Sequence, residues 1–175
     1  MAHRLSLSLD GSASLNDAFF QKWGGGAQVA FAFADPFALV AHYDAFGDQE
    51  TPNVLIAKQV LTSQLYATRL HGLGGLDFAW TPIYGKLSLF NDIVHFDLYL
   101  LAGLGAAQGE QGFLPASEVG LGERIFLSEW LSTGVEARYA FYVDAAGGGP
   151  STVQRSLLAS AVVTLWLPLH NGEAP

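Results

Sequence analysis

Ionisable side chains that could do chemistry recur at alternate positions of segments that are otherwise small or apolar. The set comprises Asp10, His42, Asp44, Arg69, His71, Asp77, His95, Asp97, Glu118, Arg124, Glu136, Arg138 and Asp144. A histidine beside a carboxylate can activate a nucleophile, and imidazole and carboxylate groups together can ligate zinc or a similar ion. These residues could therefore form the active site of a hydrolase or a metal site.

Neither chemistry has its motif. A lipid hydrolase could pair His95 or His71 with Asp97, but the sequence lacks a G-x-S-x-G elbow, and Ser88 and Ser160 are the only serines to test. A metal site could draw on His42, Asp44, His71, His95 and Asp97, but H-x-x-x-H and H-E-x-x-H spacings are missing. Neither glycine triplet, 24–26 or 147–149, continues into a phosphate-binding GK[ST]. We therefore predict no catalytic residue, no metal and no cofactor.

The alternation itself predicts β-strands. His95, Asp97 and Tyr99 fall on one face of a strand, and Phe96, Leu98 and Leu100 fall on the other, because successive strand side chains point to opposite faces. Similar two-faced segments cover 4–13, 23–34, 37–46, 65–81, 94–104, 118–127, 134–144 and 156–167. Longer loops are expected between strands 1 and 2, 3 and 4, 5 and 6, and 7 and 8. Residues 50–64 fit a helix or a strand equally well.

Composition decides which face is outside. Half of the chain is apolar and only 14% is charged, whereas soluble domains have about 25%. The polar row is poor in lysine and contains Gly26, Gly120, Gly122 and Gly134, which suits the crowded interior of a narrow barrel. A soluble ligand-binding barrel with the reverse orientation is the alternative. The net charge of −8 argues against nucleic acid as a partner.

We therefore predict an all-β fold in which residues 1–168 form an eight-stranded antiparallel up-and-down transmembrane barrel with a filled polar lumen, followed by a disordered tail, 169–175. The thirteen ionisable residues named first would form the polar network of the lumen. Aromatic side chains near strand ends would anchor the barrel at the membrane interface. These anchors are Tyr66, Trp80, Tyr84 and Trp130. The connection 81–93 is expected to be a long turn that could dock at the membrane surface or on a periplasmic partner.

Three stretches resemble a known family: NDAFFQKWGGGAQVAF, DFAWTPIYGKLSLFNDIVHFDLYLLAGLGA and GLGERIFLSEWLSTGVEARY. They look like the outer-membrane β-barrel domain family known mainly from myxobacteria and related Gram-negative bacteria. The resemblance implies an outer-membrane location and no catalytic residues. Two departures are the missing leader and the extension past Trp166 into LPLHNGEAP.

The function expected from the residues and the resemblance is a non-enzymatic, structural, anchoring or docking role in the bacterial envelope. The expected partners are the lipid bilayer and other envelope proteins, reached through the external loops or the 81–93 connection, and the protein would be a monomer. A soluble small-ligand barrel is the second hypothesis, and an outer-membrane lipid hydrolase is the third.

Overall fold

The fold is a ring of eight antiparallel strands in a computed structural model that describes residues 4–16, 20–50, 70–89, 92–109, 112–144 and 152–168. Each strand pairs with its neighbours in the chain, and β1 pairs with β8 to close the ring. The strands are β1 (Arg4–Ser14), β2 (Phe20–Ala34), β3 (Phe37–Glu50), β4 (Gly72–Leu89), β5 (Asp92–Gly109), β6 (Gly112–Phe126), β7 (Leu131–Asp144) and β8 (Thr152–Pro168). The predicted eight-stranded up-and-down barrel is confirmed.

The two ends of the barrel are distinguished by the chain termini. The terminal end is the one at which β1 begins and β8 ends. The β2–β3, β4–β5 and β6–β7 turns also lie at this end. The opposite end is called the far end. No helix within the described ranges has the length and hydropathy needed to cross a bilayer.

Two predicted loops are in fact strand. The expected turn at 81–93 is a hairpin in which β4 and β5 remain paired from Ile83 with Leu98 to Leu89 with Asp92. Likewise β5 and β6 pair as far as Gly109 with Gly112, so the expected long 5–6 loop shrinks to residues 110–111. In the hairpin, β4 stays paired with β5 after its pairing with β3 has ended at Trp80. The periodicity of a single strand cannot reveal such one-sided pairing.

A register shift between Trp80 and Ile83 changes the face on which later β4 residues lie. Before the shift, odd-numbered residues such as Asp77 and Ala79 are buried in the lumen. After it, Tyr84 pairs with the lumen residue Asp97. An extra residue of this kind is a β-bulge, which moves all following side chains to the opposite face.

Among the described residues, the strand predicted for 65–81 begins later than expected. Regular strand begins only at Gly72, and positions 65–69, which include Tyr66 and Arg69, lie outside the described residues. Leu70 is in phase with Leu76 and Phe78, so the sequence predicts it on the outer, apolar face. It is instead buried at 1% exposure and packs with Phe46 and Leu73. His71 was expected in the lumen, but it is exposed because it precedes the strand at the rim.

Inward glycines make room for large lumen side chains. A Cβ atom at Gly103 would collide with the carboxylate of Asp77, and one at Gly122 would collide with the ring of Tyr99. At Gly26 it would lie 2.5 Å from Asp44 Oδ1. Because an eight-stranded lumen is only wide enough for side chains, each bulky group needs a small residue opposite it.

We expect Gly103→Val to destabilise the barrel by about 1–3 kcal/mol, because the added atoms have no free space. Gly11→Val is the matched control, since a Cβ at Gly11 meets nothing within 4 Å. The measurement is the temperature at which the folded band converts to the unfolded band in gels of detergent-solubilised protein. Equal transition temperatures for the two variants would contradict the packing argument.

Candidate functional site

A buried ion-pair cluster crosses the middle of the lumen. It contains His42 and Asp44 of β3, Asp77 of β4, Glu118 of β6, and Glu136 and Arg138 of β7. Arg138 Nη1 donates to Asp77 Oδ2 at 2.9 Å and to Glu118 Oε2 at 3.2 Å, while its Nε donates to Glu136 Oε1. One guanidinium therefore joins carboxylates from three strands. This set is called the ionic cluster below.

His42 closes the other side of the ionic cluster. Its Nδ1 lies 3.1 Å from Asp44 Oδ2 and its Nε2 lies 2.8 Å from Glu118 Oε1, and its side chain is fully buried. Ionised carboxylates only accept hydrogen bonds, so the doubly protonated imidazole is the form that donates to both. The ring then acts as a second buried cation beside Arg138.

His42, Asp77 and Glu118 also form a trio whose ligand-type atoms lie within 4.8 Å of one another. Two of its contacts are already in use: Arg138 lies between Asp77 and Glu118, and His42 bonds to Glu118. A metal ion would have to displace that guanidinium. The geometry is therefore that of an ion-pair network. Of the five metal candidates considered in the sequence, the ionic cluster contains only His42 and Asp44.

A second group lies nearer the terminal end. Arg124 Nε donates to Asp97 Oδ1 at 3.1 Å, and the guanidinium lies 4.2 Å from the ring centre of Tyr99 and 5.2 Å from that of Trp166. Tyr99 in turn donates from its hydroxyl to Glu136 Oε2 at 2.8 Å, which connects this group to the ionic cluster. Contacts of a guanidinium with aromatic faces add attraction to the ion pair.

Trp166 is a lumen residue that the sequence reasoning missed. It is 6% exposed, and its Nε1 donates to Ser132 Oγ at 2.8 Å. The signal was present, because Trp166 falls in phase with Ser160 and Thr164, the polar positions of the last predicted strand.

The predicted polar residues do not all meet in one network. The structure brings six of them into the ionic cluster, pairs Asp97 with Arg124, and places Asp10 beside them in the lumen at the level of Gly26. His95 stacks on Tyr84 at 5.8 Å near the terminal end, away from the ionic cluster. His71 is exposed, and Asp144 ends β7 with a side chain outside the described part.

The predicted aromatic anchors also divide. Trp80 and Trp130 are exposed at the terminal end. Tyr84 is exposed as well, but it lies on the lumen side after the β-bulge and contacts His95. Its role as an interfacial anchor stays a prediction. Trp23, Tyr43 and Phe113, which were not predicted as anchors, are exposed toward the far end.

The lumen is neither uniformly polar nor filled, contrary to expectation. Toward the far end it is occupied by an apolar cluster of buried residues. These are Phe46, Leu70, Leu73, Ala107, Ala116, Ala140, Tyr142 and Leu158. Toward the terminal end there is a cavity of about 480 Å³ with alanines along its wall. The ionic cluster separates these two regions.

Among the described residues, neither candidate serine is placed beside a histidine that could act as its base. Ser88 is exposed on the β4–β5 hairpin, and Ser160 lies in the lumen beside β1, paired in register with Ser12. Within the part of the chain described, neither hydroxyl hydrogen-bonds to a histidine. A serine nucleophile needs its base within hydrogen-bond reach.

Comparisons with known proteins find similar solved structures but no family. No protein-family model matches the chain, and no curated protein does. A designed transmembrane β-barrel is similar over 95% of this chain and 98% of its own length, with 14% identity and a TM-score of 0.47. Neisserial surface protein A is similar over 95% and 96% of the two chains, with 8% identity and a TM-score of 0.47. These likenesses do not extend to the narrower myxobacterial-type family.

We expect Arg138→Met to destabilise the folded barrel by about 3–5 kcal/mol, because Asp77, Glu118 and Glu136 would lose their shared buried cation. Arg155→Met is the matched control, since Arg155 is an exposed residue of β8. The measurement is urea-induced unfolding in lipid vesicles, followed by tryptophan fluorescence. A shift no larger than that of the control would show that the ionic cluster contributes little to stability.

Proposed function

We propose that this chain is a non-enzymatic integral outer-membrane β-barrel protein with a structural, anchoring or partner-docking role in the bacterial envelope. The observation that carries the proposal is the outward row of apolar side chains around the closed ring. Leu9, Val119, Leu121 and Val163 are all at least half exposed although they lie in the middle of strands.

Water is a poor solvent for such a surface. Single exposed apolar residues are common on soluble proteins, but a contiguous apolar belt marks contact with lipid or with another protein. In the described strands, leaving aside Asp92 at the tip of the β4–β5 hairpin, the outward row carries two charged residues, Glu123 toward the terminal end and Arg155 toward the far end. A soluble carrier would have the opposite arrangement, so the soluble-barrel hypothesis is not favoured.

Exposed aromatic residues support the same environment. Trp23, Tyr43 and Phe113 lie toward the far end, and Trp80 and Trp130 lie toward the terminal end. Transmembrane barrels have aromatic girdles at both lipid interfaces. Closed barrels of this kind are characteristic of outer membranes, which also agrees with the resemblance to the myxobacterial-type family. A closed ring leaves no free sheet edge within the bilayer, which supports a monomer.

The β4–β5 hairpin supports the docking role. Pairing of β4 with β3 ends at Trp80, and pairing of β5 with β6 ends at His95, so the two strands continue as a ribbon beyond the ring. Ile83, Leu87 and Ile93 are exposed on this ribbon. Its free strand edges and apolar side chains suit an extended segment of another envelope protein, which can add a strand to an exposed edge.

We expect the protein to aggregate without detergent and, once folded in detergent, to migrate differently on gels before and after boiling. Val119→Arg, in the middle of β6, should lower stability by about 2–4 kcal/mol, whereas Val153→Arg, at the start of β8, should cost about 1 kcal/mol or less. Denaturant titration in vesicles provides the measurement. Monodisperse protein in plain buffer, with equal costs for both variants, would rule out the membrane proposal.

A photoreactive residue at Leu87 tests the docking role. In the native envelope we expect it to give a discrete protein adduct that Ile83→Asp abolishes, because the aspartate interrupts the apolar face that the partner would cover. The control is the same photoreactive residue at Val143, near the far end. Adducts with lipid only would show that the hairpin is an interfacial anchor without a protein partner.

A further inference from the structure

The lumen cavity reaches the terminal end of the barrel. Its lining includes Ala34, Asp35 and Pro36 at the β2–β3 turn and extends inward to Gln28 and Glu136. Along β2, from Ala34 to Gln28, this is roughly 20 Å at about 3.3 Å per residue. The ionic cluster lies at its inner end, and the apolar cluster lies beyond. The cavity is therefore elongated and opens at the terminal end.

Small apolar side chains create the space. Ala32 of β2 pairs with Ala38 of β3, and Ala38 pairs with Ala79 of β4, so neighbouring strands present methyl groups to the cavity. Ala30 and Val40 extend the same wall inward. Elsewhere in the lumen long side chains fill the width of the ring. A volume of about 480 Å³ with a mainly apolar wall is in the range of small-molecule sites.

Several polar groups of the cavity already have partners. Ser8 and Thr164 are joined by a hydrogen bond of 2.9 Å, Asp97 accepts from Arg124, and Glu136 accepts from Tyr99. Among the described residues, the Arg124 guanidinium makes a single hydrogen bond, from Nε to Asp97. Its terminal N–H groups can therefore donate to a ligand oxygen.

The charges around the cavity select against an anion. Three carboxylates line the cavity, those of Asp35, Asp97 and Glu136. The lining contains one guanidinium, that of Arg124. A carboxylate or phosphate headgroup would meet like charges at short range in a poorly solvated space, which disfavours its binding. A hydroxyl or ether oxygen meets no such repulsion.

We propose that this cavity binds the alkyl chain of an uncharged amphiphile, such as a fatty alcohol, which enters from the terminal end. The chain lies along the alanine wall of β2, β3 and β4, and its hydroxyl accepts a hydrogen bond from Arg124. The site goes beyond the structural and docking role, because its occupancy depends neither on the hairpin nor on a protein partner.

The experiment uses the full chain in lipid nanodiscs with a diazirine-bearing dodecanol as the probe and a diazirine-bearing laurate as the anionic comparison. After photolysis, adducts are mapped by mass spectrometry. We expect the alcohol to label lumen residues such as Gln28 and Tyr99, to be displaced by unlabelled dodecanol, and to exceed the laurate severalfold. Labelling of the outward row should not be saturable, since lipid-facing positions form no site.

Ala30→Phe fills the cavity and should reduce lumen labelling by about tenfold, because the wall no longer leaves room for a chain. Ala41→Phe, on the exposed outer face of the same sheet region, is the matched control and should leave it unchanged. If Ala30→Phe fails to fold, saturable displacement on the unsubstituted protein still decides the question. Adducts confined to the outward row would overturn the site, and equal labelling by the laurate would overturn the uncharged class.

Discussion

The width of the eight-stranded ring is the constraint on which the rest of the structure depends. Closure fixes an interior that holds little more than one layer of side chains, so every inward position is chosen in relation to the positions opposite it. Asp77 and Tyr99 fit because Gly103 and Gly122 have no side chains to collide with them. The same limit explains why four short alanine side chains on adjacent strands are enough to open a cavity.

The ionic cluster is the most costly feature that this interior contains. Its carboxylates outnumber the cations Arg138 and His42, and burial of unpaired charge is expensive. The arrangement offsets that cost by sharing: Arg138 reaches Asp77, Glu118 and Glu136 with separate N–H groups. Because the cluster lies between an apolar cluster and a cavity, it also divides the lumen across its length. Such a division favours a structural or binding role over a conducting pore.

The strand number and the two rows of each strand could be predicted, because both follow from a two-residue period within single strands. The places where prediction was wrong depend on contacts between strands. The β-bulge after Trp80 places Tyr84 on the lumen side, and one-sided pairing turned the 81–93 connection into a hairpin. Trp166 was not assigned to the lumen, although its phase on β8 matches the buried Ser160 and Thr164. The pairing of Arg138 with particular acids depends on registers that no single segment contains.

On the proposed membrane location, the hairpin indicates where the bilayer would end. Beyond Thr81, whose N–H donates to Pro36 O at 2.9 Å, no register pairing between β4 and β3 continues, so the backbone N–H and C=O groups of β4 have no β3 ladder partner on that side. In hydrocarbon each unsatisfied group would cost several kcal/mol, so this edge is compatible only with water, headgroups or a protein partner. The boundary therefore falls near Trp80 and Trp130. The mouth of the cavity at Asp35 and Pro36 lies at the same end, where an amphiphile leaving the bilayer would meet it.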